Sequence, residues 1–267
     1  MILSSINKIN NCILRKSDGE HYARFSGLML RSVFQPIFTA DENIIGLEAL
    51  LRIQSEDGRT IRPDDFFHTD LYSNELKTSI EALSRAIHIL NFAQSEYSDK
   101  KLFLNILPDP KFNQLDVHKS SEIREHLEAL DLQSNQIVME FVELEVKDKV
   151  LLSRVKTVIE KSGCAIAVDD YGSNASNKER VTLLNPEIVK IDRGILTAFM
   201  NGLVAPLNSA LKVAAEVGAK TVIEGIETRE QFEQMVQLKI DMFQGYHLAQ
   251  PEPISIRANP TINGMVG

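Results

Sequence analysis

Short apolar or β-branched runs alternate along this chain with longer stretches whose apolar residues recur every three or four positions. Runs of the first kind cover residues 33–38, 46–53, 102–107, 137–144, 165–169, 188–192, 220–227 and 241–248, and each predicts a strand. Between most of them the spacing is helical. Leu76, Ile80, Leu83, Ile87 and Leu90 share one helical face, and so do Val146, Val150, Leu151, Val155, Val158 and Ile159. Gly163 and Gly218 follow two of these helices where a left-handed cap is expected.

Strands alternating with helices predict a parallel sheet covered by helices, and eight of them fit an α/β fold of the TIM-like (β/α)8 barrel type. Residues 39–45 are polar and too few for a crossover helix. The first two strands should therefore pair antiparallel, giving a barrel with its first strand reversed. An open doubly wound sheet has the same periodicity, and the pattern alone does not choose between them. Residues 1–30 read as an N-terminal helical extension, 31–255 as the barrel and 256–267 as an irregular tail.

Polar residues inside the apolar runs carry the chemical information. Glu48, Asn105, Glu140, the pair Asp169-Asp170, Lys190 with Asp192, and Glu224 with Glu227 each interrupt or end a predicted strand. A buried, unpaired carboxylate costs several kcal/mol in desolvation. For one strand, a solvated end or a salt bridge explains this as well as a site does. For six strands of one barrel, convergence on the catalytic mouth is the better explanation. So many carboxylates do not stay ionised together without cations. Their donors are oxygens with no histidine among them, which favours Mg²⁺ or Mn²⁺, with Ca²⁺ as an inhibitory mimic. Two metals sharing a carboxylate suit in-line attack on a phosphodiester.

Composition narrows the alternatives. The 267 residues fit one large domain, 43% hydrophobic and 25% charged. The net charge of −8 offers no basic face for duplex nucleic acid. Two distant cysteines argue against a disulfide framework or zinc site and fit a reducing compartment. No apolar run reaches membrane-spanning length, so a cytoplasmic protein without membrane insertion is expected. The chain has neither a phosphate-cradling Gly-x-x-x-x-Gly-Lys loop nor a dinucleotide fingerprint. Among the scattered histidines, His88 on a helix reads as packing, and His247 follows a motif near the mouth.

At these residues the sequence resembles the EAL domain family of cyclic di-GMP phosphodiesterases. The motifs stand in order: Gln35-Pro36; Glu48-Ala49-Leu50-Leu51-Arg52; Asn105 with Pro108; Glu140 and Glu143; Asp169-Asp170-Tyr171-Gly172; Lys190-Ile191-Asp192; Glu224-Gly225-Ile226-Glu227-Thr228; Gln244-Gly245-Tyr246; and Pro251. The resemblance implies that Glu48, Asn105, Glu140 and Asp169 hold one metal. Asp169, Asp170 and Glu224 would surround a second. It further implies that Lys190 holds the attacking water and that Glu224 can act as general base, with Glu48, Lys190 and Glu224 the catalytic set. Gln35, Arg52 and Gln244 match substrate-contacting positions, with Glu227 placed beside them, and Glu143 matches an anchor for the loop after Asp170. That loop departs from the family's Asp-Asp-Phe-Gly-Thr-Gly pattern, reading Tyr171-Gly172-Ser173-Asn174-Ala175-Ser176-Asn177 here. The implied activity is metal-dependent hydrolysis of cyclic di-GMP to linear 5′-pGpG by a homodimer. A receptor or protein-interaction barrel without turnover is the alternative.

Overall fold

The predicted strands close into a barrel in the computed structural model, which describes residues 11–106, 118–141, 149–172 and 178–257. The strands are β1 (Ile13–Arg15), β2 (His21–Phe25), β3 (Leu28–Phe38), β4 (Ile44–Ser55), β5 (Thr60–Ile61), β6 (Lys101–Ile106), β7 (Ile137–Phe141), β8 (Ala165–Tyr171), β9 (Ile188–Ile191), β10 (Lys220–Ile223) and β11 (Met242–Phe243). Their order is β1-β2-β3-β11-β10-β9-β8-β7-β6-β4-β5, and a further pairing of β3 with β4 closes the eight-stranded barrel. β3 runs antiparallel to both β4 and β11, and the other barrel pairings are parallel. The reversed first strand is therefore present, and the open sheet is excluded.

The helices are α1 (Pro63–His68), α2 (Asn74–Ala93), α3 (His118–Glu128), α4 (Lys149–Ser162), α5 (Lys178–Leu184), α6 (Arg193–Met200), α7 (Ala205–Val217) and α8 (Arg229–Gln237). The main core lies between helices α3–α8 and the outer face of the barrel. Both expected caps form, with φ of 81° at Gly163 and 71° at Gly218.

β3 and β4 are long enough to leave the barrel. Beyond its mouth they continue as a ribbon flanked by β2 and β5, and α1 and α2 cover it. Leu30, Ile53, Phe66, Ile80, Leu83 and Ile87 form a second, smaller core there. The expected helical extension over residues 1–30 is corrected within its described part, 11–30, because 13–15 and 21–25 are strands; residues 1–10 lie outside the described residues. Ser26 and Gly27 take left-handed backbone, φ 50° and 76°, which is tight-hairpin geometry rather than a helical turn.

Two strand ends also differ from expectation. β10 stops at Ile223, because Gly225 turns the chain with φ 72° and Ile226 N donates to Gln244 O. β11 is only two residues long, because the chain turns back at Gly245. Residues 251–257 have no long element but are pinned: Glu252 exchanges backbone bonds with Phe34, and Arg257 N donates to Gln94 O. Of the expected tail over 256–267, Ile256 and Arg257 are thus anchored, and residues 258–267 lie outside the described residues. Leu107, Pro108, residues 142–144 (expected as strand), Val146 (expected as helix) and residues 173–177 lie outside the described residues.

Candidate metal centre

A strand presents every second residue to one face. Inside the barrel, Ile37, Phe103, Val138, Ala167, Ile188, Val222 and Met242 form an apolar layer. Two positions nearer the mouth stand Gln35, Asn105, Glu140, Asp169, Lys190, Glu224 and Gln244. β4 supplies Gly46 and Glu48 in the same relation. The Phe103 ring occupies the space a side chain at Gly46 would need, 2.7 Å from an added Cβ. The apolar layer is the floor, and the polar ring above it is the candidate site, at the C-terminal ends of the parallel strands.

Asp169 and Asp170 are consecutive and would normally face opposite sides. Register between β8 and β9 shifts between Val168 and Tyr171, and Asp170 has φ 50°. This bulge brings both carboxylates to the mouth. Glu48, Glu140 and Asp169 each offer an oxygen within 4.8 Å of the others, and so do Asp169, Asp170 and Glu224. Asp169 belongs to both groups, as a bridging ligand would.

Lys190 sits among them. Its Nζ lies 2.7 Å from Glu224 Oε1, 3.0 Å from both Glu140 Oε1 and Asp169 Oδ1, and 3.3 Å from Glu48 Oε2. Burial alone would lower the lysine pKa, but Asp169, Glu140, Glu224 and Glu48 outweigh it and hold it well above its usual value. The pKa values of three carboxylates also rise, which for them favours the neutral form. Burial, reinforced by Glu48 and Asp169, pushes Glu140 well above the usual range despite Lys190. Burial does the same to Glu224, with Asp169 and Glu48 adding to it. Asp170 is pushed up to about 7, first by burial and then by Asp169.

The donor set fits divalent cations. Asn105 Nδ2 donates to Glu48 Oε1 at 3.4 Å, leaving its buried Oδ1 without a donor. Neither oxygen of the fully buried Glu140 accepts a well-aligned hydrogen bond, although the Lys190 ammonium is in contact with one. Buried oxygens in this state call for a partner. Oxygen-only coordination suits hard ions.

A pH effect follows. Asp170 ionises near 3.8 when unfolded and near 7 when folded. Between these values the unfolded chain releases its proton first, so the metal-free protein loses stability as pH rises through that window. Thermal melts in EDTA should show a lower Tm at pH 8 than at pH 5.5, and Asp170→Asn should reduce the difference, with Glu140 and Glu224 supplying what is left. An unchanged difference in the variant would remove Asp170 as its source.

Glu48 is held from two sides. Besides Asn105, Gln244 Nε2 donates to its Oε2 at 2.8 Å. Gln244 is 3% exposed, so its amide nitrogen serves Glu48 more directly than it serves a ligand. The next residue fixes this arrangement: a Cβ on Gly245 would meet Ile226 N and O at 2.2 Å, a backbone clash with no flexible group to yield. Gly245→Ala is expected to cost about 1–3 kcal/mol by overpacking. Urea denaturation checks this, and a loss below about 0.5 kcal/mol would show that the chain relaxes there.

The remaining expected residues line a cleft with two lobes that meet at Glu48 and Asp170. One lobe, about 340 Å³, is walled by Arg52, Pro63, Phe67 and His68. The other, about 260 Å³, is walled by Gln35, Arg193, Glu227 and Tyr246. Gln35 Nε2 donates to Ala249 O, and Glu227 lies 3.8 Å from Arg193. Asp192 accepts from Gly194 N and caps α6. His88 is packed between Ser84 and Ser32, and burial, then the Arg85 and Arg52 cations, lowers its pKa to about 3. His247 is exposed and lines neither lobe. Glu143 lies outside the described residues. Phe67, His68 and Arg193 were not singled out as site residues from sequence, and no local pattern marks them. Tyr246 was visible only as part of a motif.

Among the described residues, no helix is long and apolar enough to cross a membrane. The chain is 27% identical over 235 residues to the probable cyclic di-GMP phosphodiesterase PdeN of Escherichia coli K12, covering 83% of this chain and 43% of PdeN. It thus spans less than half of that relative. The Bacillus subtilis YkuI protein, solved with cyclic di-GMP and calcium, superposes with a TM-score of 0.69 at 23% identity, over 96% of this chain and 60% of that one. Klebsiella pneumoniae BlrP1, solved with manganese and cyclic di-GMP, gives a TM-score of 0.70 at 23% identity, over 84% and 56%. These likenesses extend the barrel to solved relatives. A family model for the EAL domain matches residues 24–251, the span that carries the whole polar ring, and the chain belongs to the EAL domain family.

Proposed function

We propose that this chain hydrolyses one phosphodiester of cyclic di-GMP to give linear 5′-pGpG, using Mg²⁺ or Mn²⁺. The observation that carries the reading is the pair of oxygen-donor triads sharing Asp169, set where two cleft lobes meet. A cyclic dinucleotide has a phosphodiester between two bases, and the two lobes offer a place for each. The names of the relatives point to the same ligand.

Glu48, Asn105, Glu140 and Asp169 would hold one cation, and Asp169, Asp170 and Glu224 the second. Bound divalent ions supply water activation and neutralise charge on the phosphoryl oxygens. Lys190 orients the attacking water. Glu224, made more basic by burial, accepts its proton. As water oxygen bonds to phosphorus, the bond to the 3′-oxygen breaks, and that oxygen leaves with a proton as the free hydroxyl. Arg52 and Gln35 face the two lobes and bind substrate, with Glu227 on the second rim. Gln244 aligns Glu48. A homodimer, which rests on the family resemblance, and a cytoplasmic setting, which rests on the composition, accompany this reading.

The test is chromatographic detection of 5′-pGpG from cyclic di-GMP with Mg²⁺ or Mn²⁺, against an EDTA control. Tight cyclic di-GMP binding with no linear product would overturn the enzymatic reading in favour of a receptor. The departure of residues 173–177 from the family's loop pattern favours that second use.

A further inference from the structure

We propose that Lys190 is a built-in counter-ion that competes with divalent cations for the acidic centre and so sets the metal concentration at which the centre loads. This rests on the metal-centre reading above but concerns a different property of the residue. The usual task for a lysine at such a place is to hold a reacting water. The contacts here describe something more. One ammonium touches Glu48, Glu140, Asp169 and Glu224 at 3.3 Å or less. It therefore engages all three members of one candidate triad and two members of the other. The contact set of Lys190 and those of the two cations draw on the same oxygens.

The electrostatics has a definite sign. With no metal bound, the ammonium offsets part of the repulsion within the acidic ring and stabilises the fold. With a metal bound, the same charge lies beside a dication in a poorly solvated site and repels it. The side chain is 1% exposed and reaches the ring from β9, one layer above Ile188, so water does little to screen it. A lysine that merely arranged the carboxylates as ligands would have the opposite effect, and its removal would weaken metal binding. Lys190 acts here as a positioning and affinity-setting residue, and the two roles separate by experiment.

Lys190→Met keeps the length of the stem and removes the charge. Calorimetric titration of Mn²⁺ into chelator-stripped protein is expected to show Kd falling roughly tenfold or more relative to wild type, about 1.4 kcal/mol per factor of ten. In EDTA the variant should melt lower than wild type, and saturating Mn²⁺ should close or reverse the gap. Lys190→Met/Glu140→Gln, which removes one charge of each sign, should recover the melting temperature in EDTA. A role confined to packing would leave that recovery absent. If Lys190→Met does not fold without metal, Mn²⁺ affinity of the double variant is compared with that of Glu140→Gln alone, and tighter binding is again expected. If wild type binds Mn²⁺ and removal of Lys190 leaves the affinity equal or makes it weaker, the counter-ion role is overturned and the metal centre is spared. Absence of Mn²⁺ binding in every protein overturns both.

Discussion

Glu48→Ala is expected to lower kcat/KM for cyclic di-GMP hydrolysis by at least 10²–10³-fold, the order seen when one preorganised electrostatic group is removed from a reacting centre. The protein should nevertheless fold as well as before. Glu48 is where the two cleft lobes meet, and it is gripped by Asn105, Gln244 and Lys190. Its loss removes one proposed ligand and leaves the amides of the buried Gln244 and the half-buried Asn105 without this acceptor. It also removes one negative charge from a crowded ring. The second effect favours the folded state, so melting in EDTA should be unchanged or higher. Steady-state kinetics paired with thermal melts separates the two. A variant within a few-fold of wild type would take Glu48 out of the reaction, whereas a collapse of Tm would show that the carboxylate is structural.

Loading the centre should have the largest effect on stability. Glu140 is completely buried, and burial with Glu48 and Asp169 makes its ionised form unfavourable without metal. A ligand that binds only the folded state at 100 times its Kd contributes about 2.7 kcal/mol. For a chain of this size each kcal/mol raises Tm by roughly 2–4 °C. Saturating Mn²⁺ or Mg²⁺ should therefore raise Tm by roughly 5–10 °C over an EDTA baseline. Ca²⁺ should raise it too, without supporting turnover. Calorimetric scans across a metal series test this, and a shift under about 1 °C at millimolar Mn²⁺ would contradict the assignment of these oxygens.

Much of this centre is legible in the chain because strands impose a period of two. Asn105, Glu140, Asp169, Lys190 and Glu224 each stand two residues beyond an apolar residue of the barrel floor, and each is conspicuous against its neighbours. Gln35 and Gln244 obey the same rule but are uncharged, so only the family resemblance picks them out. The bulge at Asp170 violates the period and hides one carboxylate on what reads as the wrong face. The N-terminal ribbon was misread because its strands are short and only its turn residues, Ser26 and Gly27, betray them. Phe67 and His68 could not be assigned at all. They belong to the cleft only because α1 folds over the β3–β4 ribbon, a tertiary event without local signature.

The ribbon has one more consequence. The acidic ring hangs from the barrel and its large core, while Phe67 and His68 ride on α1 over the small core of Leu30, Ile53, Phe66 and Ile80. One lobe of the proposed nucleotide cleft is thus anchored in a separate packing unit from the proposed ion site and from the other lobe, the two units being joined by two continuous strands. Variation in the small unit can retune which ligand is held, and how long, without disturbing the inorganic chemistry. On the proposed reading, that lobe is the adjustable part of recognition, and the acidic ring with the barrel-borne lobe is the fixed part.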